Sequence, residues 1–157
     1  MQTMSEDTGS ADPRAAKPKG IAYLIGRLDH VLGQRLRDRL ALLGLTLAQY
    51  TALSVLDAQR HLSNAQLAER TMISPQSANE MVKAMDAKGW IERQPDANHG
   101  RIVQIRVTDQ GKALLRECDA AVAELERIML AGLDTEQQQR LGGQLKGMLH
   151  ALIAMML

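Results

Sequence analysis

From Ile21 the apolar residues Ile21, Leu24, Ile25, Leu28, Val31, Leu32, Leu36, Leu40 and Leu43 recur at steps of three and four, the spacing that lines one face of an α-helix. This predicts a long first helix ending at Gly44, a residue suited to a C-cap. The chain restarts at once with "LTLAQY", where Thr46 and Gln49 have the spacing of a capping box, so a second helix is expected from about Leu47 to Gln59. Two short helices separated by a tight turn follow. The first is capped by Ser63 with Gln66 at its third position; the second opens at Ser74-Pro75, where proline's missing N–H costs nothing, and ends at Gly89. In that second short helix Ala78, Met81, Val82 and Met85 form the apolar face. Gln76, Ser77, Asn79, Glu80 and Lys83 are left outside.

After Gly89 the period changes. "WIER" reads as a short strand, "QPDANHG" as a turn cluster, and Val103, Ile105 and Val107 alternate with Gln104, Arg106 and Thr108, which together predict one β-hairpin. Thr108 then caps a long helix whose face carries Leu114, Cys118, Ala121, Val122, Leu125, Ile128 and Met129, ending near Gly132. A last helix from Asp134 places Leu141, Leu145, Met148, Leu149, Leu152 and Met156 on one side.

Composition narrows this mainly α-helical picture. Of the 157 residues 45% are apolar but only 2% aromatic, so the core is aliphatic, which favours helices. A chain of this length buries roughly two-thirds of its unfolded surface, enough for one domain. The first nineteen residues are polar, hold two prolines and lack an apolar period, and are expected to be a disordered tail. A single domain over 20–157 remains, with 47–108 as its central module and 20–44 and 109–157 as flanking helices. One cysteine, Cys118, excludes an intramolecular disulfide, and no run of ~20 apolar residues marks a membrane span. The expected location is cytoplasmic. The formal charge of +1 means that any basic surface must be local.

Two short helices joined by a tight turn and followed by a hairpin make a winged helix-turn-helix. The second helix of such a motif enters a major groove ~12 Å wide, where glutamine and asparagine can pair with adenine and serine can reach base or phosphate. Gln76, Ser77 and Asn79 suit base reading. Ser63, Ser74 and Lys83 suit the DNA backbone. Arg101 stands beside the turn, where a wing can insert a guanidinium into the adjacent minor groove, with Asn98 and His99 as neighbouring donors. The other reading of the same face is a protein-interaction module, but that use calls for exposed apolar residues between Pro75 and Lys88 and has no need of a wing arginine.

"LTLAQYTALSVL", "LAERTMISPQSANEMVKAMDAKGWIERQPD" and "HGRIVQIRVTDQGKALL" resemble, in order and spacing, the MarR family of bacterial transcription regulators. The wing carries the most specific part. That family commonly shows Asp-x-x-Asp-Arg-Arg, three or four residues, an apolar-Thr pair and then Gly. Here Asp96, Arg101, Val107-Thr108 and Gly111 fall on the pattern, while His99 and Gly100 replace the second acid and the first arginine. The resemblance implies a homodimer built from the first helix and the last two, whose twofold axis would call for a palindromic operator in double-stranded DNA; a repressor is expected because no separate activation domain is evident. It also implies release by a small aromatic or phenolic acid. Tyr23, Arg27, His30 and Tyr50 are the residues here that could line such a cleft; their other role is packing and surface charge.

Cys118 lies on an apolar helix face and is expected to be structural. The family's peroxide sensors carry their cysteine near the start of the first helix, where this chain has none. Histidines 30, 61, 99 and 150 are scattered, without ligand spacing for a metal. No nucleophile elbow, phosphate loop or dinucleotide fingerprint is present, so neither an enzyme nor a cofactor is expected.

Overall fold

The computed structural model describes residues 20–98 and 100–156. The expected tail and His99 lie outside the described residues. The elements run α1 (Ile21–Leu42), α2 (Leu47–Gln59), α3 (Asn64–Thr71), α4 (Pro75–Ala87), β1 (Ile91–Pro95), β2 (Val103–Val107), α5 (Asp109–Met129) and α6 (Thr135–Ala154). Two units separate within α1, residues 1–34 and residues 35–157.

The helix boundaries follow local chemistry. Thr46, Ser63 and Asp134 each close a reciprocal capping box with Gln49, Gln66 and Gln137, satisfying amides that a helix start leaves without partners. At the other end of α1, the Gly44 amide donates to the Ala41 carbonyl at 3.0 Å and the Leu45 amide to the Leu40 carbonyl at 3.1 Å. Gly44 has φ +84, so this is a Schellman turn, and it brings buried Leu45 and Leu40 together. Gly89, at φ +75, ends α4 the same way and carries the chain into Trp90.

The third such turn, between α3 and α4, uses Met72 at φ 55. A side chain in this left-handed region costs roughly 1 kcal/mol that glycine avoids. Because Met72 is 92% exposed, it returns nothing in packing. Met72→Gly is therefore expected to raise stability by about 1 kcal/mol, read as a higher midpoint in thermal unfolding; a lower midpoint would mean that Met72 makes a contact absent here.

The core of the second unit gathers Leu53 and Leu56 of α2, Leu67 of α3, Val82 and Met85 of α4, Ile91 and Ile105 of the hairpin, and Leu115 and Cys118 of α5. Each large aliphatic residue there contributes about 2 kcal/mol by leaving water. The hairpin pairs Ile91 with Val107 and Pro95 with Val103 in antiparallel register. A lone bridge joins Leu62 to Ile105, making β2 the middle of three extended segments. Pro95 accordingly sits on the edge strand, where its missing N–H removes no ladder bond.

Several expectations shift. The alternation in β2 holds only at its inner end, since Val103 is 45% exposed while Ile105 and Val107 are buried; the outer half of the hairpin extends past the core. Trp90 precedes β1 instead of opening it. On α5 the buried line is Gly111, Leu115 and Cys118, whereas Ile128 and Met129 are exposed. None of the residues of α6 is buried.

Candidate nucleic-acid interface

α3, the turn through Met72 and Ile73, and α4 form the helix-turn-helix, and the β1–β2 hairpin forms its wing. Gln76, Ser77, Asn79, Glu80 and Lys83 are all exposed on α4, opposite buried Ala78, Val82 and Met85. Positions 76, 79 or 80, and 83 fall on one stripe of the helix. Glu80 and Lys83 form no ion pair with each other among the described residues, so the stripe presents an acceptor and a donor separately.

The serines have more defined tasks than the sequence suggested. The Ser63 hydroxyl oxygen accepts from the Gln66 amide at 3.2 Å. Ser74 accepts from the Ser77 amide at 3.1 Å and donates to the Ser77 hydroxyl oxygen at 2.9 Å. Ser74 is thus spent on capping, while Ser77 keeps its own hydroxyl hydrogen for an outside acceptor.

The wing tip is organised by Asp96. Its amide donates to the Ile102 carbonyl at 2.7 Å, and its carboxylate accepts from the Asn98 amide at 2.8 Å and from Gln104 Nε2 at 3.0 Å. The Asn98 bond is an Asx turn, in which a carboxylate stands in for a backbone acceptor. Arg101 lies in the turn itself, two residues before β2, exposed and without a hydrogen bond or ion pair among the described residues. Expected beside the turn, it stands within it.

Wing and α4 are tied together by Arg93 of β1, whose Nε and Nη2 donate to Asp86 of α4 at 3.1 and 2.8 Å. Both side chains are more than a third exposed, so this pair adds little stability and acts mainly on orientation. Arg106 pairs with Glu92 across the strands on the outer face of the hairpin. These links join residues distant in sequence, and no local signal announces them. The cavity of about 770 Å³ between α2, the hairpin and the start of α5 is lined by charges of both signs, among them Arg60, Glu92, Arg106 and Lys112. Gln76, Ser77, Asn79 and Arg101 do not line it.

The residues considered for a ligand are divided between the two units. Tyr23, Arg27 and His30 line a shallow depression of about 320 Å³ on α1 in the first unit. Tyr50, in the second unit, donates its hydroxyl to Asp119 Oδ1 at 2.7 Å. Burial, then that bond, push the Tyr50 phenol up to about 12. Cys118 is buried, and burial, reinforced by Asp119 and Glu117, raises its thiol above the ordinary value, the opposite of what a reactive thiolate needs.

Helix-turn-helix, wing and capped connections together define a winged helix-turn-helix protein. The comparisons with known proteins are specific. A profile described as MarR family matches residues 43–102. The HTH-type transcriptional repressor Rv2887 of Mycobacterium tuberculosis is 30% identical over 119 residues, covering 76% of this chain and 86% of the relative. The chain belongs to the MarR family of transcription regulators. Among solved structures, a cysteine-to-serine mutant of MarR from Escherichia coli complexed with operator DNA has a TM-score of 0.70 at 24% identity, over 82% of this chain and 92% of that one. The Rv2887 complex with p-aminosalicylic acid has a TM-score of 0.68 at 27% identity, over 82% and 98%. No single helix among the described residues is long and apolar enough to cross a membrane.

Proposed function

We propose that this chain is a homodimeric repressor that reads a palindromic operator, with α4 in the major groove and the wing in the minor groove beside it. The observation that carries this reading is the pairing of an exposed polar stripe on α4 with an unneutralised Arg101 at the tip of a wing held by Asp96. Gln76, Ser77 and Asn79 read bases, Arg101 reads the narrow groove, and Lys83 and Asn98 position the backbone. Ser63 and Ser74 act chiefly by setting the helix starts that approach the phosphates. Of the relatives, one MarR is described in complex with operator DNA and Rv2887 is described as a repressor.

Support for the dimer comes from what the chain leaves open. Leu145, Met148, Leu149, Leu152 and Ile153 of α6 are all more than 40% exposed, as are Ile21, Leu24, Ile25, Leu28 and Val31 of α1. With no buried residue, α6 lacks the tertiary packing that supplies most of a helix's stability in a folded protein. It also carries Gly142, Gly143 and Gly147, where an added Cβ would meet nothing within 4 Å in its own chain. Interior glycines weaken a helix, and a second helix approaching closely gives them a use. A twofold axis then sets the two reading helices about 34 Å apart, one turn of DNA. Release by a small aromatic acid is the proposed regulation, with Arg27 facing the carboxylate and Tyr23 and His30 beside it; Rv2887 is described in complex with p-aminosalicylic acid.

Arg101→Ala tests the reading directly. Removing the wing cation should weaken operator binding by about tenfold or more and change the preference at base pairs flanking each half-site. Titrations of operator DNA over a salt series measure both; unchanged affinity and preference would remove the wing from the interface.

A further inference from the structure

Asn64 is the first residue of α3 and sits outside the stripe that faces DNA. Its Nδ2 donates to the Pro75 carbonyl of α4 at 3.1 Å. Pro75 opens the reading helix, and in an α-helix the carbonyl of residue 75 faces the amide of residue 79, so this contact grips α4 directly beneath Gln76 and Asn79. Its other amide atom, Oδ1, is buried without a hydrogen-bond partner. A buried acceptor left without a donor is a cost to folding. The residue therefore opposes stability at one atom while joining the two helices of the motif at the other.

We infer that Asn64 is a positioning residue for DNA reading, its Nδ2 bond to the Pro75 carbonyl setting the angle at which α4 presents Gln76, Ser77 and Asn79. This rests on the proposed DNA-reading function. The Met72 turn and the shared core set the spacing between α3 and α4, and a side-chain bond from the start of one helix to the start of the other further restricts their relative rotation. Reading is sensitive to the restriction because bidentate base contacts demand alignment, whereas phosphate contacts tolerate small rotations.

Two variants of the full-length chain separate positioning from folding. Asn64→Ala removes both the bond and the unsatisfied oxygen, so its thermal midpoint should be equal to or higher than the parent's. Asn64→Asp keeps the size of the side chain but, when ionised, places an acceptor against the Pro75 carbonyl. For both, the ratio of affinity for the selected operator to affinity for unrelated duplex should fall about tenfold; in Asn64→Ala binding to unrelated duplex and its salt dependence stay unchanged, whereas the carboxylate of Asn64→Asp weakens binding to every duplex as well. A parent chain that fails to prefer any operator defeats the DNA-reading function itself. A parent that prefers one, with either variant matching its ratio, overturns the role of Asn64. In Asn64→Ala, loss of unrelated-duplex binding in step with a lower midpoint also overturns it, since that pattern marks a structural residue only.

Discussion

Gly111→Ala is expected to destabilise the winged module by about 3 kcal/mol, the cost of forcing backbone apart in a packed core. Gly111 lies in the first turn of α5 and is buried. A Cβ built there overlaps the Trp90 carbonyl oxygen and comes within 2.9 Å of the Trp90 carbonyl carbon and 2.7 Å of Val107 Cγ1. Neither backbone atom can swing aside. Both are held, because the Trp90 carbonyl accepts from the Thr108 amide at 3.0 Å and Thr108 Oγ1 donates to the Gly89 carbonyl at 2.5 Å. The methyl group thus pries α5 from the junction of α4 and β1, where the wing is attached. Chemical denaturation checks the magnitude. Wild-type stability in the alanine variant would show that the close approach of α5 to Trp90 is absent in solution.

Leu149→Asp should have the second large effect, on assembly. Leu149 is 57% exposed in its own chain, so a carboxylate there leaves the chain's own core intact. In a dimer it would be buried on both sides of the twofold, each copy costing several kcal/mol unless paired. Sedimentation should show the parent as a dimer and the variant as monomer or aggregate, with operator binding lost in parallel. Gln144→Asp, on the polar side of α6, should behave as the parent does. A Leu149→Asp chain that stays dimeric would place the interface elsewhere.

The elements written in local chemistry were legible in the sequence. Thr46-Gln49, Ser63-Gln66, Ser74-Pro75 and Thr108 each mark a helix start by groups within three residues of one another, and the structure puts helices there. The exposed stripe of α4 was legible for the same reason, being the complement of a periodic apolar face. What remained hidden depends on residues that meet only after folding. The Leu62 bridge to Ile105, Arg93 on Asp86, Asn64 on Pro75 and Tyr50 on Asp119 span 43, 7, 11 and 69 positions. Asp96 belonged to a pattern in the sequence, but its hold on both Asn98 and Gln104 emerged only with the hairpin closed. The α5 face was read in large part, with Cys118 buried and Leu114 packed against the core; the buried Leu115 was missed because Leu114, Leu115 and Cys118 allow two overlapping helical faces, and Ile128 and Met129 at the far end are exposed.

The central claim is that a symmetric pair of these chains reads DNA sequence. Selection of bound fragments from random duplex DNA by the purified full-length chain tests it most directly. The account predicts enrichment of a palindrome whose half-sites are centred about one helical turn apart. Recovery of fragments with no shared sequence would contradict it.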